Sequence, residues 1–341
     1  MRLYIAAFLL FSATTVQAQS LNAVMLRNFN RSEDSMKPYS RAMITDPNSS
    51  QRFIADSIFI RMLVKSLRNP HSFYYPYDSL ETVSRIYAPD SSFRIFSWQF
   101  NRDDTYFRQR GAIQMRTADG SLKLFPLLDM SEFTGAPQDS VRAPANWVGA
   151  IYYGMVMKTF NGKNYYTLLG FDDNNAKSTR KWIDVLTFNA AGQPQFGGPY
   201  FAMQPTKQTM PAPFARFCLE YKKLGKARLN YDPEMDMIIF DHLISEENAP
   251  EKKYTLVPDG DYEGFKWNNG KWNYVNKVFD FKLKDGEAPM PEPIKDDAGN
   301  SNEEKLRQQS EKNRQKNPVK PAPAKPVSKP LSRQPKDEAE P

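Results

Sequence analysis

The sequence WVGAIYYGMVMKTFNGKNYYTLLGFDDNN, residues 147–175, decides the fold class of this chain. Two runs rich in Ile, Tyr, Val, Met and Leu flank Asn161-Gly162, a dipeptide that tolerates the positive φ angles of a two-residue hairpin turn. The register that this turn predicts pairs Met157 with Tyr166, Met155 with Leu168, Val156 with Thr167, Tyr153 with Gly170 and Tyr152 with Phe171. Because both faces of the hairpin are largely apolar, we expect it to lie inside a β structure.

The sequence after Pro70 alternates with period two and carries frequent turn residues, which is typical of an antiparallel all-β domain. Strands are predicted before the hairpin at residues 72–77, 82–87, 93–100, 106–117 and 122–128, and after it at 181–188, 196–201, 214–221, 227–231 and 235–243. A turn at Asp119-Gly120 should place Met115 opposite Leu124 and Gln114 opposite Phe125, and Asn269-Gly270 should form a further hairpin turn. Successive short turns predict a meander that forms a barrel or a sandwich.

The remaining organisation follows from changes in composition. Residues 19–70 are predicted to be a helical N-terminal segment, with an amphipathic helix that ends before Pro70. Residues 71–285 form the predicted antiparallel β domain, in which 135–146 is either a boundary between two subdomains or a long surface loop. Residues 286–341 contain ten prolines and no aromatic residue. They cannot bury a core, so the sequence predicts a disordered tail.

The first residues favour export. Residues 1–18 combine a basic start, an apolar run and small residues before Gln19, which is typical of a cleaved signal peptide. The apolar run is too short to cross a bilayer, for which about 20 residues are needed, and no later segment approaches that length. We therefore expect no transmembrane segment and a periplasmic, extracellular or surface-associated location.

Composition and the absence of known motifs argue against several classes of function. The excess of seven positive charges over 341 residues lies in no single basic run, so nucleic acid is not an expected partner of an exported protein. The two histidines, His71 and His242, have no metal-ligand spacing. The chain has no nucleophile elbow, phosphate-binding loop or dinucleotide fingerprint. The oligomeric state stays open.

Carboxylates are the candidate catalytic groups. Asp184 lies within the apolar strand sequence KWIDVLTF, where a carboxylate needs either a buried partner or an active-site role. Asp241 and His242 follow the apolar run MDMIIF, at a strand end that could open to solvent. A hydrolase of glycans would require two carboxyl groups about 5 to 10 Å apart across a cleft.

Two groups of side chains are candidates for ligand binding. Cations on the hairpin predicted around Asp119-Gly120 could hold a phosphate, a sulfate or a uronic acid. Alternatively, they could be the solvated face of a sheet. These residues are Arg108, Arg110, Arg116 and Lys123. Trp267 and Trp272 flank the Asn269-Gly270 turn and could stack on a sugar, although packing within the core is the alternative.

Oxygen-bearing side chains end the opening hairpin and form the candidate metal site. They are Asp172, Asp173, Asn174 and Asn175. Calcium prefers such ligands, but these residue types also form turns by bonding nearby backbone amides. Calcium is the one cofactor that the sequence suggests, and the alternative is that no cofactor is bound.

The opening stretch, together with KWIDVLTF, MIIFDHL and VPDGDYEGFKW, resembles exported β-rich proteins of unknown function from Bacteroidota. The resemblance covers about residues 147–274 and implies an envelope location without implying an activity. We therefore expect a non-catalytic binding or scaffolding protein of the bacterial cell envelope, with a glycan or an envelope protein as its partner. The alternative is a carboxylate-dependent hydrolase of glycans or cell-wall material.

Overall fold

The computed structural model describes residues 21–103, 105–203, 212–279 and 302–316. The protein is mainly β, as predicted, and its sheets are antiparallel apart from one short pair of strands. The described residues up to 279 belong to one compact unit, and those from 302 belong to a second. Among the described helices, none combines the length and apolar character needed to cross a membrane. The predicted signal peptide lies outside the described residues.

Two helices begin the first unit and confirm the helical segment predicted there. They are α1 (Ala23–Thr45) and α2 (Ser49–Leu67). The side chains of Asn22 and Asn48 cap these helices, and each accepts two backbone N–H groups. The caps satisfy donors that the first helical turn leaves without partners.

The first sheet is a four-stranded meander. Its strands, in spatial order, are β1 (Val83–Tyr87), β2 (Phe93–Asn101), β3 (Phe107–Met115) and β4 (Lys123–Leu128). The strand predicted at 72–77 is wrong, because Ser72–Tyr74 is a 3-10 turn. The buried Arg94 donates to the carbonyl oxygens of Ser72 and Tyr75 at 2.7 and 2.6 Å, so these carbonyls face a side chain and not a neighbouring strand.

The register between β3 and β4 differs from the prediction by one residue. Met115 pairs with Lys123, and Gln114 pairs with Leu124. The chain between these strands is a seven-residue loop, 116–122, and not the tight turn that Asp119-Gly120 suggested. A change of one residue in loop length moves the pairing and changes which side chains meet.

Two further sheets follow. The second contains β5 (Ile151–Phe160), β6 (Lys163–Asp172), β7 (Ser178–Phe188) and β10 (Phe217–Lys222) in the order β10-β7-β6-β5, with β8 (Pro194–Phe196) beside β7. The third has the order β11 (Leu229–Asp232), β12 (Met237–Ser245), β13 (Leu256–Asn268), β14 (Lys271–Val275) and β9 (Phe201–Ala202).

The single strand predicted at 196–201 is wrong, because Gly197 and Gly198 have φ angles of 84° and 151° and interrupt it.

The opening hairpin forms as predicted around its turn. Asn161 and Gly162 have φ angles of 48° and 72°, and three of the five predicted pairs, up to Met155–Leu168, are present. The last two pairs are wrong because a bulge at Tyr153 lets Tyr152 face Gly170. The bulge directs the Tyr153 hydroxyl to the Leu229 carbonyl oxygen, 2.7 Å away, in the third sheet.

Three apolar clusters join these elements. One lies between the two helices and the first sheet and includes Trp98; a second, with Ile95, joins the first and second sheets. A third, with Ile183 and Phe265, joins the second and third sheets. Each sheet has open edges in the described residues, so the barrel alternative is wrong there. The alternation of side chains along β2 and β7 buries both faces of these strands.

The segments at 135–146 and 286–341 complete the comparison with the predicted domains. Residues 135–146 connect the first sheet to the second, and they contain two 3-10 turns, Pro137–Asp139 and Pro144–Asn146. Within the predicted disordered tail the structure describes one helix, α3 (Glu303–Lys316). Its described side chains are exposed, in agreement with a segment that lacks a core. The other residues of 286–341 lie outside the described part.

Candidate anion-binding site

A surface pocket of about 490 Å³ lies where α2 begins and where the loop joins β2 to β3. It is lined by Ser49, Ser50 and Phe53 of α2 and by Phe100, Arg102, Arg108 and Arg110 of the sheet. The start of a helix carries a partial positive charge, so both sides of the pocket favour an anion.

Arg52 holds the two sides of this pocket together. Its side chain is buried, and it donates to the carbonyl oxygens of Asp46, Asn101 and Arg102 at 2.7, 2.6 and 3.3 Å. One guanidinium therefore ties the residues before α2 to the end of β2. The backbone of Arg102 is fixed beside the helix start, while its own side chain stays exposed.

Arg110 is positioned by a buried carboxylate. Its Nε donates to Oδ2 of Asp56 at 3.3 Å, and the other oxygen of Asp56 accepts from Trp98 Nε1 at 3.0 Å. The guanidinium carbon lies 5.2 Å from the centre of the Phe100 ring. No hydrogen bond from the two terminal nitrogens of Arg110 is found among the described residues. Those nitrogens are therefore oriented and available to a ligand.

Arg108 is more strongly occupied by protein groups. One terminal nitrogen donates to the carbonyl oxygen of Asp129 at 2.9 Å, and the other lies 3.2 Å from the Tyr106 hydroxyl. Glu132 lies 3.5 Å from the same guanidinium and partly neutralises it. Arg108 therefore contributes positive charge to the pocket with few donors left for a ligand.

Arg102 and Phe53 belong to the pocket, although neither is among the ligand-binding residues predicted from the sequence. Phe53 is 55% exposed and contacts Phe100 edge to face, with ring centres 6.1 Å apart. Arg102 stacks over Tyr106, and no ion pair involving it is found in the described part of the chain. The one available signal for Arg102 is its position directly after β2, at the same end of the sheet as Arg108.

Arg116 and Lys123, also predicted ligands, lie away from this pocket. Arg116 lies beyond the end of β3, and Lys123 pairs with Met115 at the opposite end of the hairpin. Met115 is five positions from Arg110, which corresponds to roughly 17 Å along a strand. The predicted row of four cations is therefore wrong as a single site, and its two members Arg108 and Arg110 remain together.

The two predicted sugar-stacking tryptophans are packed against the protein. Trp272 is fully buried, and its Nε1 donates to the Thr167 hydroxyl at 2.8 Å. Trp267 is partly buried and packs on both Trp272 and Tyr165, with ring centres 5.3 and 5.4 Å apart. The prediction of Trp272 as a ligand contact is wrong, because no face of its indole ring reaches solvent.

The acidic end of the opening hairpin uses its oxygens within the protein. Oδ1 of Asp172 accepts from Gln109 Nε2 and from the Asn174 backbone N–H, both at 2.8 Å. Asp173 forms an ion pair of 2.6 Å with Lys223. Asn175 accepts from two backbone N–H groups in the following turn, as the turn alternative predicts.

These contacts leave the proposed calcium ligands without a common centre. The ammonium group of Lys223 occupies the cation position beside Asp173. Burial raises the pKa of Asp172 from 3.8 to about 6, and the neighbouring Asp129 carboxylate adds to that rise. No cluster of three or more His, Cys, Asp and Glu side chains suited to a metal ion occurs in the described residues.

Asp184 has a buried partner. Its Oδ2 accepts from Arg216 Nε at 3.1 Å, and both side chains are almost completely buried. Arg216 also donates to the carbonyl oxygens of Ser140 and Phe196 at 2.9 and 3.1 Å, and to that of Pro137. The pair therefore anchors the segment between the first and second sheets, with no access for a substrate.

Asp241 and His242 occupy separate positions. Asp241 is buried and accepts from the Arg228 backbone N–H at 2.7 Å, whereas His242 is at the surface, 2.8 Å from Asp259. Asp241 interacts electrostatically with Lys181. Lys181 and Asp184 lie on opposite faces of β7 because they are three residues apart in a strand. The predicted carboxylate pair therefore does not line one cleft.

The fold and the pocket define a mainly β protein that carries helices on one outer sheet and a cationic pocket at the end of that sheet. Comparison with known proteins adds no family to that description. No family model, no characterised protein sequence and no solved structure matches the chain.

Proposed function

We propose that this chain is a non-catalytic binding protein whose ligand presents a phosphate, sulfate or carboxylate group to the pocket of Arg102, Arg108 and Arg110. The observation that carries the proposal is the geometry of Arg110. Its Nε is held by the buried Asp56, and the residue lines the pocket. A guanidinium oriented in this way can bind two oxygens of one anion at once.

The proposal retains the location expected from the sequence. The protein is exported to the cell envelope, as residues 1–18 and the resemblance to exported Bacteroidota proteins of unknown function suggest, and the anion belongs to an envelope glycan or protein. We infer that its three sheets form a layered sandwich, in which the helix layer leaves the pocket open at one end. The exposed ring of Phe53 offers an apolar surface beside the charges.

The hydrolase alternative has less support from the described geometry. Asp184 is neutralised by Arg216 within the core, and Asp241 lies toward the other face of β7. A glycosidase mechanism needs two carboxyl groups that reach the same bond of the substrate. Binding without catalysis is therefore the function that these residues favour.

The test is calorimetric titration of the full-length chain with inorganic phosphate, sulfate and glucuronate. We expect at least one of them to bind to the wild type, and we expect Arg102→Ala to weaken that binding about 5- to 10-fold, because one charge beside the ligand is lost. Arg102 makes no ion pair in the described residues, so this substitution should leave the fold intact.

Arg116→Ala is the matched control, since it removes one exposed arginine from the same hairpin at its far end. The control should bind the anion as the wild type does. Equal losses in the two variants would show that net charge, and not the pocket, attracts the anion. If none of the three anions binds to the wild type, the proposal is refuted.

A further inference from the structure

We infer that the envelope glycan or protein that presents its anion to the arginine pocket also carries an alkyl chain, which makes it an anionic amphiphile, and that this chain enters an apolar slot next to the pocket. The inference rests on the proposed function and adds the second half of the ligand. The slot has a volume of about 160 Å³ and lies between α2 and the edge of the first sheet. Arg110 lines both the slot and the arginine pocket.

The lining of the slot is apolar apart from Arg110. Leu63 and Leu67 of α2 form one wall, and Trp98, Ala112 and Leu127 of the sheet form the other. These five side chains are at most 7% exposed, so the slot has rigid and well-packed walls. An apolar cavity of about 150 Å³ stays free of water and accepts a molecule of roughly six carbon atoms.

The slot opens at the edge of the sheet. Leu128 lies on the rim and is 47% exposed, and it pairs with Arg110 across β3 and β4. β4 is the last strand of its sheet among the described residues, and the turn Pro144–Asn146 lies against it. The exposed Leu128 marks the place where an alkyl chain can enter while its charged group stays beside Arg110.

Asp56 connects the two halves of this site. It accepts from Trp98, which forms a wall of the slot, and from Arg110, which forms its mouth. The side chain of Asp56 is 1% exposed, so both donors are fixed relative to each other. A ligand with an anionic group at one end and an aliphatic chain at the other matches the order of these surfaces, in which the cationic pocket is followed by Arg110 and then by the apolar slot.

The complementarity selects one ligand class over the others. A free sugar acid would satisfy the arginines and leave the slot empty, whereas an uncharged hydrocarbon would fill the slot and leave the arginines without an anion. Burying each additional methylene should strengthen binding about fourfold until the slot is full. Binding strength should therefore depend on chain length over roughly the first six carbons.

The experiment is calorimetric titration of the full-length chain with the straight-chain carboxylates from acetate to decanoate, below their aggregation concentrations. A parallel titration compares hexyl phosphate with inorganic phosphate. We expect affinity to rise about fourfold per methylene and then to level off near hexanoate or heptanoate. Hexanol, which lacks the charge, should bind more weakly than hexanoate.

A slot-filling variant provides a second measurement. Val64 lines the slot and is half-buried, so Val64→Phe should abolish the dependence on chain length and leave the binding of inorganic phosphate unchanged. Ile54→Phe is the same kind of enlargement at an exposed position of α2. This variant should show the same dependence of carboxylate affinity on chain length as the wild type. If Val64→Phe does not fold, the titration of the wild type with acetate to decanoate tests the inference alone.

The outcomes separate this inference from the proposed function. Anion binding that needs Arg102 but is equal for acetate and hexanoate would support the pocket and overturn the slot. The same flat series would result if a segment of this chain filled the slot, and the inference would again fail. If none of the anions binds, both proposals are refuted.

Discussion

The buried carboxyl group of Asp172 should make the stability of the protein depend on pH, and Asp172→Asn should remove that dependence. Asp172 is 4% exposed, and its Oδ1 accepts hydrogen bonds from Gln109 and from the Asn174 backbone. An asparagine oxygen can accept both bonds, so the substitution changes the charge and keeps the contacts. The perturbation is therefore specific to ionisation.

The sign follows from the direction of the pKa change. Burial raises the pKa of Asp172 from 3.8 to about 6, so the folded protein binds this proton more tightly than the unfolded chain. The associated stability is fully present below about pH 4 and is lost as the pH rises through about 6. The difference between the two pKa values corresponds to about 3 kcal/mol.

The assay is urea unfolding of the wild type and of Asp172→Asn at several pH values from 4 to 7. Relative to the variant, the wild type should lose about 2.5 kcal/mol of unfolding free energy across that range, because pH 4 already lies slightly above the pKa of the unfolded carboxyl group. Asp139→Asn removes one exposed carboxylate and controls for the change in net charge. If the difference between wild type and Asp172→Asn changes by less than about 1 kcal/mol between pH 4 and 7, the burial argument is refuted.

Two further substitutions test the packing. Arg216→Met should destabilise the fold by about 3 to 5 kcal/mol in urea unfolding, because it leaves the buried Asp184 carboxylate without its cation; a loss below about 1 kcal/mol would contradict the structural role of that pair. Gly270→Ala should cost more stability than Gly162→Ala, since both glycines have positive φ but a Cβ at Gly270 would lie 2.6 Å from the Phe160 ring. The Gly162 variant isolates the backbone strain of about 1 kcal/mol, and equal losses would show that the Phe160 ring moves aside.

The sequence predicted the β strands well where local chemistry determines them. Both Asn-Gly dipeptides form two-residue turns, because each glycine can adopt the positive φ that the turn requires. The bulge at Tyr153 was not predictable from the strand pattern. It brings the Tyr153 hydroxyl to the Leu229 carbonyl oxygen in another sheet, and alternation along one strand contains no information about that contact.

The candidate site likewise depends on contacts between distant parts of the chain, which local sequence does not reveal. The apolar surroundings of Asp184 in KWIDVLTF indicate a carboxylate that needs a partner, but the partner, Arg216, lies 32 residues away, directly before β10. Arg108 and Arg110 were selected from their spacing on one strand. Arg102 and Phe53 reach them through the packing of α2 on the sheet, which the sequence of neither element specifies.

The proposed function gives Asp56 of α2 a role in binding as well as in packing. A buried ion pair is often no more stable than apolar side chains of the same volume, so stability alone does not require a carboxylate at this position. The surrounding positions of α2, Phe59 and Leu63, are apolar and fully buried, as a purely structural helix face would be. Asp56 departs from that pattern where the helix passes Arg110, as Arg52 does where the helix meets the carbonyl oxygens of Asn101 and Arg102. What the carboxylate adds there is orientation, because it fixes a guanidinium between a cationic pocket and an apolar slot.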